Sequence, residues 1–227
     1  MTRTLAMTAA DHVRVSEAVH AAELGTAGEI VTISADVSDS YGDVAMWWAI
    51  GATIVALGLL AAFPDVVLRS FAVLSNGWVS SLTLAEAFEL ALAVVVITFG
   101  LVRLALTFTA IRIAMTPSRV KAARVRKRAL GFFKVGAERR TTGRTGILIY
   151  VSLGEHRAEI VADEAIHSLV ANEAWGAAMA DLIGEVRQGR LADGLIAAVR
   201  DVGVILAQHF PRSDDDINEL PDRLIEL

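Results

Sequence analysis

The chain has 227 residues, enough for one or two domains, and it is 54% hydrophobic with a mean hydropathy of +0.51. That is too apolar for an average soluble domain and too polar for a chain made wholly of membrane spans, so a membrane anchor joined to a folded polar domain fits best. No cysteine is present, which excludes disulfides, thiol nucleophiles and thiolate metal sites.

The net charge of −5 hides a strong asymmetry. Residues 1–43 carry two basic and seven acidic side chains, residues 112–144 eleven basic and one acidic, and residues 145–227 six basic and fifteen acidic. The first twenty residues include Asp11, His12, Arg14 and Glu17 and lack the apolar stretch of a secretory signal.

In chain order, residues 8–25 read as an amphipathic helix. Thr8 and Asp11 have capping-box spacing, Val15, Ala18, Val19 and Ala22 form one apolar stripe, and Gly25 is placed to stop it. Glu29 to Ser34 is β-branched and apolar, as a short strand would be. A loop with Asp36, Asp39 and Asp43 follows.

Val44 to Pro64 is an uncharged run of 21 residues, long enough for a helix to cross the hydrocarbon layer, with Trp47 and Trp48 at its start like an interfacial belt. Residues 85–105 give a second span, with Glu86 and Glu89 near one interface and Arg103 snorkelling towards the other. A helix lying flat in the interface is the alternative for this segment. The basic block directly after it includes Arg112, Arg119, Lys121, Arg124, Arg126, Lys127 and Arg128, whereas the loop between the spans holds Arg69 and Asp65. By the positive-inside rule both termini are expected in the cytoplasm of a cell-membrane protein. Arg119, Lys121, Arg124, Arg126, Lys127 and Arg128 would meet anionic lipid head groups; their juxtamembrane position speaks for lipid and against nucleic acid.

Met115-Thr116-Pro117 breaks the helical pattern, and residues 118–137 resume it as a basic helix. Thr141 to Gly146 reads as a turn-rich connector, too short for a phosphate loop and placed before a strand. Ile147 to Val151 suits a central buried strand, Gly154-Glu155-His156 a tight turn, and Arg157 to Ala162 the return strand of a hairpin. Three helices are expected next: residues 165–170, then one capped by Asn172 with Trp175, Ala178, Met179, Leu182, Ile183 and Val186 on its stripe, then residues 191–208. The tail from Pro211 to Leu227 reads as acidic and irregular. Asp214-Asp215-Asp216-Ile217-Asn218 opens like a calcium loop, but Glu219 and Ile225 stand where such a loop needs Gly and Glu, so an EF-hand is rejected.

Strands and helices mixed in this way predict an α/β domain whose first helix and strand join the later sheet. The domain then comprises residues 1–43 and 112–227, with residues 44–111 as an inserted hairpin whose spans cover about 44–64 and 85–105. No catalytic motif of high specificity is present. His12, His20, His156, His167 and His209 are dispersed and read as surface or helix-end residues. Asp36, Asp39 and Glu155 fall beyond the carboxyl ends of expected strands, where open α/β sheets gather ligands, and they are the candidate oxygen ligands for Ca²⁺. The plain alternative is solvated loop acids.

The segment Gly143-Arg144-Thr145-Gly146-Ile147-Leu148-Ile149-Tyr150-Val151-Ser152-Leu153, followed by Glu155-His156-Arg157-Ala158-Glu159-Ile160, resembles the strand, acidic-basic turn and return strand of the TPM-domain family. Arg190-Leu191-Ala192-Asp193-Gly194 resembles the turn between that family's last helices, and Thr26-Ala27-Gly28-Glu29-Ile30-Val31 the opening of its first strand. The likeness spans about 110 residues in two pieces and matches a bacterial membrane subgroup with a transmembrane hairpin inserted in the domain. It implies an α/β/α sandwich with a small mixed sheet. It also implies either an accessory role for a membrane protein or complex, with a membrane protein partner, or a metal-dependent acid phosphatase that binds calcium. Glu155 matches the acidic residue of the family turn, whereas His156 and Asp163 stand where basic residues and glycine are more usual.

Overall fold

Thr8 and Asp11 cap the first helix reciprocally: the Thr8 hydroxyl accepts from the Asp11 N–H at 3.2 Å, and Asp11 Oδ2 accepts from the Thr8 N–H at 3.0 Å. In the computed structural model, which describes residues 7–65, 69, 83–136, 145–212, 220 and 222–227, this helix is α1, Ala9–Glu23. It ends at the expected place without a left-handed glycine, because Leu24 caps it in right-handed geometry.

The chain divides into two units. One is Met1–Asp39 with Ser118–Leu227, and the other is Ser40–Pro117. The first unit contains α1, β1 (Glu29–Ala35), α5 (Ser118–Gly136), β2 (Gly146–Ser152), β3 (Arg157–Ala162), α6 (Glu164–Leu169), α7 (Gly176–Arg187), α8 (Leu191–His209) and β4 (Leu224–Glu226). The second contains α2 (Gly42–Ala62), α3 (Leu84–Ala105) and α4 (Thr109–Ala114).

The sheet order is β3–β2–β1–β4. β1 runs parallel to both β2 and β4, with Ile30 opposite Ile147 and Ile33 opposite Ile225; β2 and β3 form the antiparallel hairpin. Strand periodicity then sorts side chains to two faces. Ile30, Ile147, Ile149 and Val151 pack with Val15 and Val19 of α1, Leu182 of α7, and Leu195, Val199 and Val202 of α8. Val31, Ile33, Leu148, Tyr150 and Val161 pack with Val125, Ala129 and Phe133 of α5. Helices thus cover both faces, giving an α/β/α sandwich with a mixed sheet. Each fully buried Ile or Leu contributes about 1.5–3 kcal/mol relative to exposure.

Two glycines let the helices approach closely. A Cβ at Gly203 would lie 2.8 Å from Ala22 Cβ on α1, and one at Gly194 would lie 2.9 Å from the Leu182 carbonyl oxygen on α7.

Two expectations are corrected here. Asn172 opens a 3₁₀ turn, Asn172–Trp175, instead of capping α7, which starts at Gly176. The tail is not wholly irregular: Leu224–Glu226 pairs with Thr32–Ser34, because Leu220 and Leu224 have apolar sites to fill. The Thr141–Arg144 part of the connector, most of the loop around Arg69 and the acidic run 213–219 lie outside the described residues.

In the second unit, α2 and α3 pack against one another. Ala45 and Ala49 are buried there, while Trp47, Ile54, Val55, Leu59, Leu92, Val96, Ile97 and Leu101 are exposed. Both helices are long and apolar enough to cross a membrane. Thr83 and Glu86 form a second capping box that starts α3. Arg112 donates to the Ser40 carbonyl at 2.6 Å and to Thr109 Oγ1 at 2.9 Å, and Trp48 Nε1 donates to the Met115 carbonyl at 3.2 Å. These bonds tie α4 to the start of α2.

Candidate functional site

β1 and β2 are parallel, so their carboxyl ends come together, and with them the loop after β1 and the turn after β2. The Leu153 and Gly154 N–H groups donate to the carbonyls of Ala35 at 3.0 Å and Asp36 at 2.8 Å. Four buried polar side chains meet just beneath. Tyr150 OH lies 3.0 Å from Ser38 Oγ, Ser38 Oγ donates to Ser152 Oγ at 2.9 Å, and Ser152 Oγ donates to Glu155 Oε2. The Ser38 N–H donates to Glu155 Oε1 at 2.9 Å. With both serine hydroxyl protons directed towards Glu155, the phenol is the donor to Ser38. The result is one directed chain of hydrogen bonds ending on a carboxylate.

Burial raises the Tyr150 phenol above its ordinary value; the Ser38 hydrogen bond opposes this and the Glu155 charge adds to it. The phenol therefore keeps its proton at neutral pH. Its ring lies 5.9 Å from that of Phe132, over which the Arg128 guanidinium sits at 4.7 Å.

The three candidate metal ligands are placed at this one end of the sheet but in different settings. Glu155 is buried and engaged by two serines. Asp39 faces Arg124 at 3.2 Å. Asp36 is exposed and bonds through its backbone, its N–H donating to the Leu227 carbonyl at 3.1 Å. Among the described residues, no group of three His, Cys, Asp or Glu side chains is arranged to hold a metal ion. Among the described residues the site as built is a hydroxyl–carboxylate lock.

Of the six basic residues expected to meet lipid, Arg124 pairs with Asp39, Arg126 pairs with Glu159 at 3.4 Å, and Arg128 covers Phe132. Burial raises the Glu159 carboxyl, and Arg126 opposes the shift. Arg157 donates to the Ser118 hydroxyl at 2.7 Å at the start of α5. Part of the helix's charge thus serves its own domain.

Sequence reasoning missed Ser38, Tyr150 and Ser152. The available signal was the two-residue period that places Tyr150 and Ser152 on the face of Leu148, with polar atoms where an apolar stripe should continue.

Residues 105–205 match the family model for the TPM domain. The chain carries a TPM domain. The matched range begins at the end of α3 and includes α5, β2, β3, α6, α7 and most of α8, while α1, β1 and β4 complete the sandwich from outside it. No curated protein matches the chain. The NMR structure of the BA42 protein from the psychrophilic bacterium Bizionia argentinensis sp. nov. has the same fold, with a TM-score of 0.57 and 18% identity over 100% of both chains.

Proposed function

We propose that this protein is a membrane-anchored, non-enzymatic accessory factor whose TPM domain attends a membrane protein or complex. One observation carries the reading: an apolar helix pair is inserted between β1 and the rest of a TPM domain whose carboxyl-end polar cluster is closed on itself. The hairpin holds the domain at the bilayer, and the basic residues after α3 orient it with both termini in the cytoplasm of a cell-membrane protein. Arg119, Lys121 and Lys127 contact anionic head groups, with Arg124, Arg126 and Arg128 divided between lipid and their own domain.

The test is direct. Full-length protein purified in mild detergent is expected to co-purify with a membrane protein and to turn over phosphomonoesters no faster than background. Turnover well above background, lost in Asp36→Ala or Glu155→Ala, would replace this reading by the metal-dependent phosphatase. Calcium binding at the strand ends would draw on Asp36, Asp39 and Glu155, and calorimetry with Ca²⁺ on wild type and on the variant combining Asp36→Ala with Glu155→Ala measures it. A reporter fused after Leu227 that works only outside the cytoplasm would overturn the orientation.

A further inference from the structure

Leu220 and Asp222–Leu227 run along the free side of β1 as a strap. Leu224–Glu226 pairs with Thr32–Ser34, the Leu227 N–H donates to the Ser34 carbonyl at 3.0 Å, and Leu220 and Leu224 are buried. The Asp36 N–H also donates to the Leu227 carbonyl at 3.1 Å, and among the described residues titratable side chains hold the strap at further points. The Leu220 N–H donates to Glu29 Oε2 at 3.2 Å. Asp222 Oδ2 lies 2.9 Å from His20 Nδ1, and Glu226 Oε2 lies 3.3 Å from His12 Nε2. His12 and His20 lie eight residues apart on α1, so one helix holds the strap at two places.

Glu23 stands at the root of this arrangement. It ends α1, is 7% exposed, and accepts the Ile30 N–H on Oε1 at 2.7 Å. No donor reaches its buried Oε2. The acidic groups facing it are Glu29 of β1 and Asp222 of the strap, with His20 of its own helix on the far side of Asp222. A buried carboxyl beside two others cannot hold a full charge cheaply. Glu23 therefore holds its proton more tightly than an exposed carboxyl, with Asp222 of the strap as one of the acidic side chains beside it.

We infer that Leu220 with Asp222–Leu227 is a proton-operated strap, held along β1 while Glu23 keeps its proton and released as that proton is lost.

Burial, then the charges of Glu29 and Asp222, push the Glu23 carboxyl up to about 9, with the Ile30 N–H opposing. The sign follows. Glu23 holds its proton more tightly with the strap docked than with the strap lifted and water admitted. Docking is therefore strongest at low pH and weakens as pH rises towards 9. Release bares the backbone edge of β1, the kind of edge that adds a strand from another chain.

The experiment is hydrogen exchange on the full chain in nanodiscs at pH 6 and pH 9, with rates corrected for the intrinsic effect of pH. One-proton linkage permits up to about tenfold loss of protection per pH unit. The expected result is at least about tenfold loss in the peptide covering Leu220–Leu227, with α7 and α8 unchanged. Glu23→Gln, which keeps an acceptor for Ile30, should remove the pH dependence, and Asp222→Asn should shrink it. Equal protection of the strap at both pH values in wild type would overturn the inference. So would a loss spread evenly over the domain, or an undiminished loss in Glu23→Gln. Wild type alone decides the matter if either variant folds poorly.

Discussion

The Ser38 N–H donates to Glu155 Oε1 at 2.9 Å, joining two loops that lie 117 residues apart in sequence. Between them run the whole of unit two and α5, so this bond closes the carboxyl end of the sheet across the insertion. Glu155→Ala removes the acceptor for a buried amide and a buried hydroxyl, at a cost of about 2–4 kcal/mol. Tyr150→Phe removes only the outer donor of the chain and is expected to cost about 1 kcal/mol. Thermal unfolding in detergent, followed by circular dichroism, gives the order: Glu155→Ala well below Tyr150→Phe, and Tyr150→Phe slightly below wild type. Equal midpoints for Glu155→Ala and wild type would mean that the cluster contributes nothing to stability.

Gly203 tests how tightly α8 meets α1. A methyl there would come within 2.8 Å of the Ala22 methyl, and both sit on helices with little room to yield. Gly203→Ala gains helix propensity of about 1 kcal/mol but forces the helices apart, an overpacking cost of about 1–3 kcal/mol. The net result is destabilisation. Gly184→Ala on α7 meets nothing within 4 Å and should raise the melting temperature instead. If both variants shift the midpoint in the same direction, the close approach is not a constraint.

The sandwich was legible because its signals are local: the Thr8–Asp11 cap, the β-branched run at Ile30, the apolar run at Ile147 and the stripe from Trp175 to Val186 each name their element. β4 was not, since three residues, Leu224 to Glu226, carry no period and form a strand only because β1 offers them an edge. The acid pair was hidden for a related reason. Glu23 and Asp222 lie 199 positions apart, and only the pairing of strap and sheet brings them together. Asp36, Asp39 and Glu155 were placed at the correct end of the sheet from the strand reading alone. That Glu155 turns inward to two serines depends on side-chain packing that no spacing expresses.

Helix α5 offers a prediction about lipid. Arg124 and Arg126 are paired with Asp39 and Glu159, so charge reversal at Arg119, Lys121 and Lys127 should weaken contact with an anionic surface more than reversal at the paired positions. Hydrogen exchange across residues 118–136 in nanodiscs with and without anionic lipid measures this. Wild type should be more protected on the anionic discs, and Arg119→Glu with Lys121→Glu and Lys127→Glu should abolish the difference. The effect should fade at high salt, because exposed charges are screened over about 10 Å at 0.1 M. The same protection on neutral and anionic discs would count against a lipid-facing α5.

Glu23 also sets a direction for global stability. Its folded-state value, about 9, lies above its ordinary value of 4.5, so its contribution is fully present below the lower value and is lost as pH rises through the upper one. Across that window the folded state binds more protons than the unfolded chain, and each pH unit removes up to about 1.4 kcal/mol. The wild-type unfolding midpoint in denaturant should therefore fall steadily from pH 6 to pH 9. Glu23→Gln carries no titrating group at that position, so its midpoint should lie nearly level over the same range and should exceed that of wild type at pH 9. Parallel curves for the two proteins would show that Glu23 is not the group responsible and that its carboxyl is solvated as an ordinary anion.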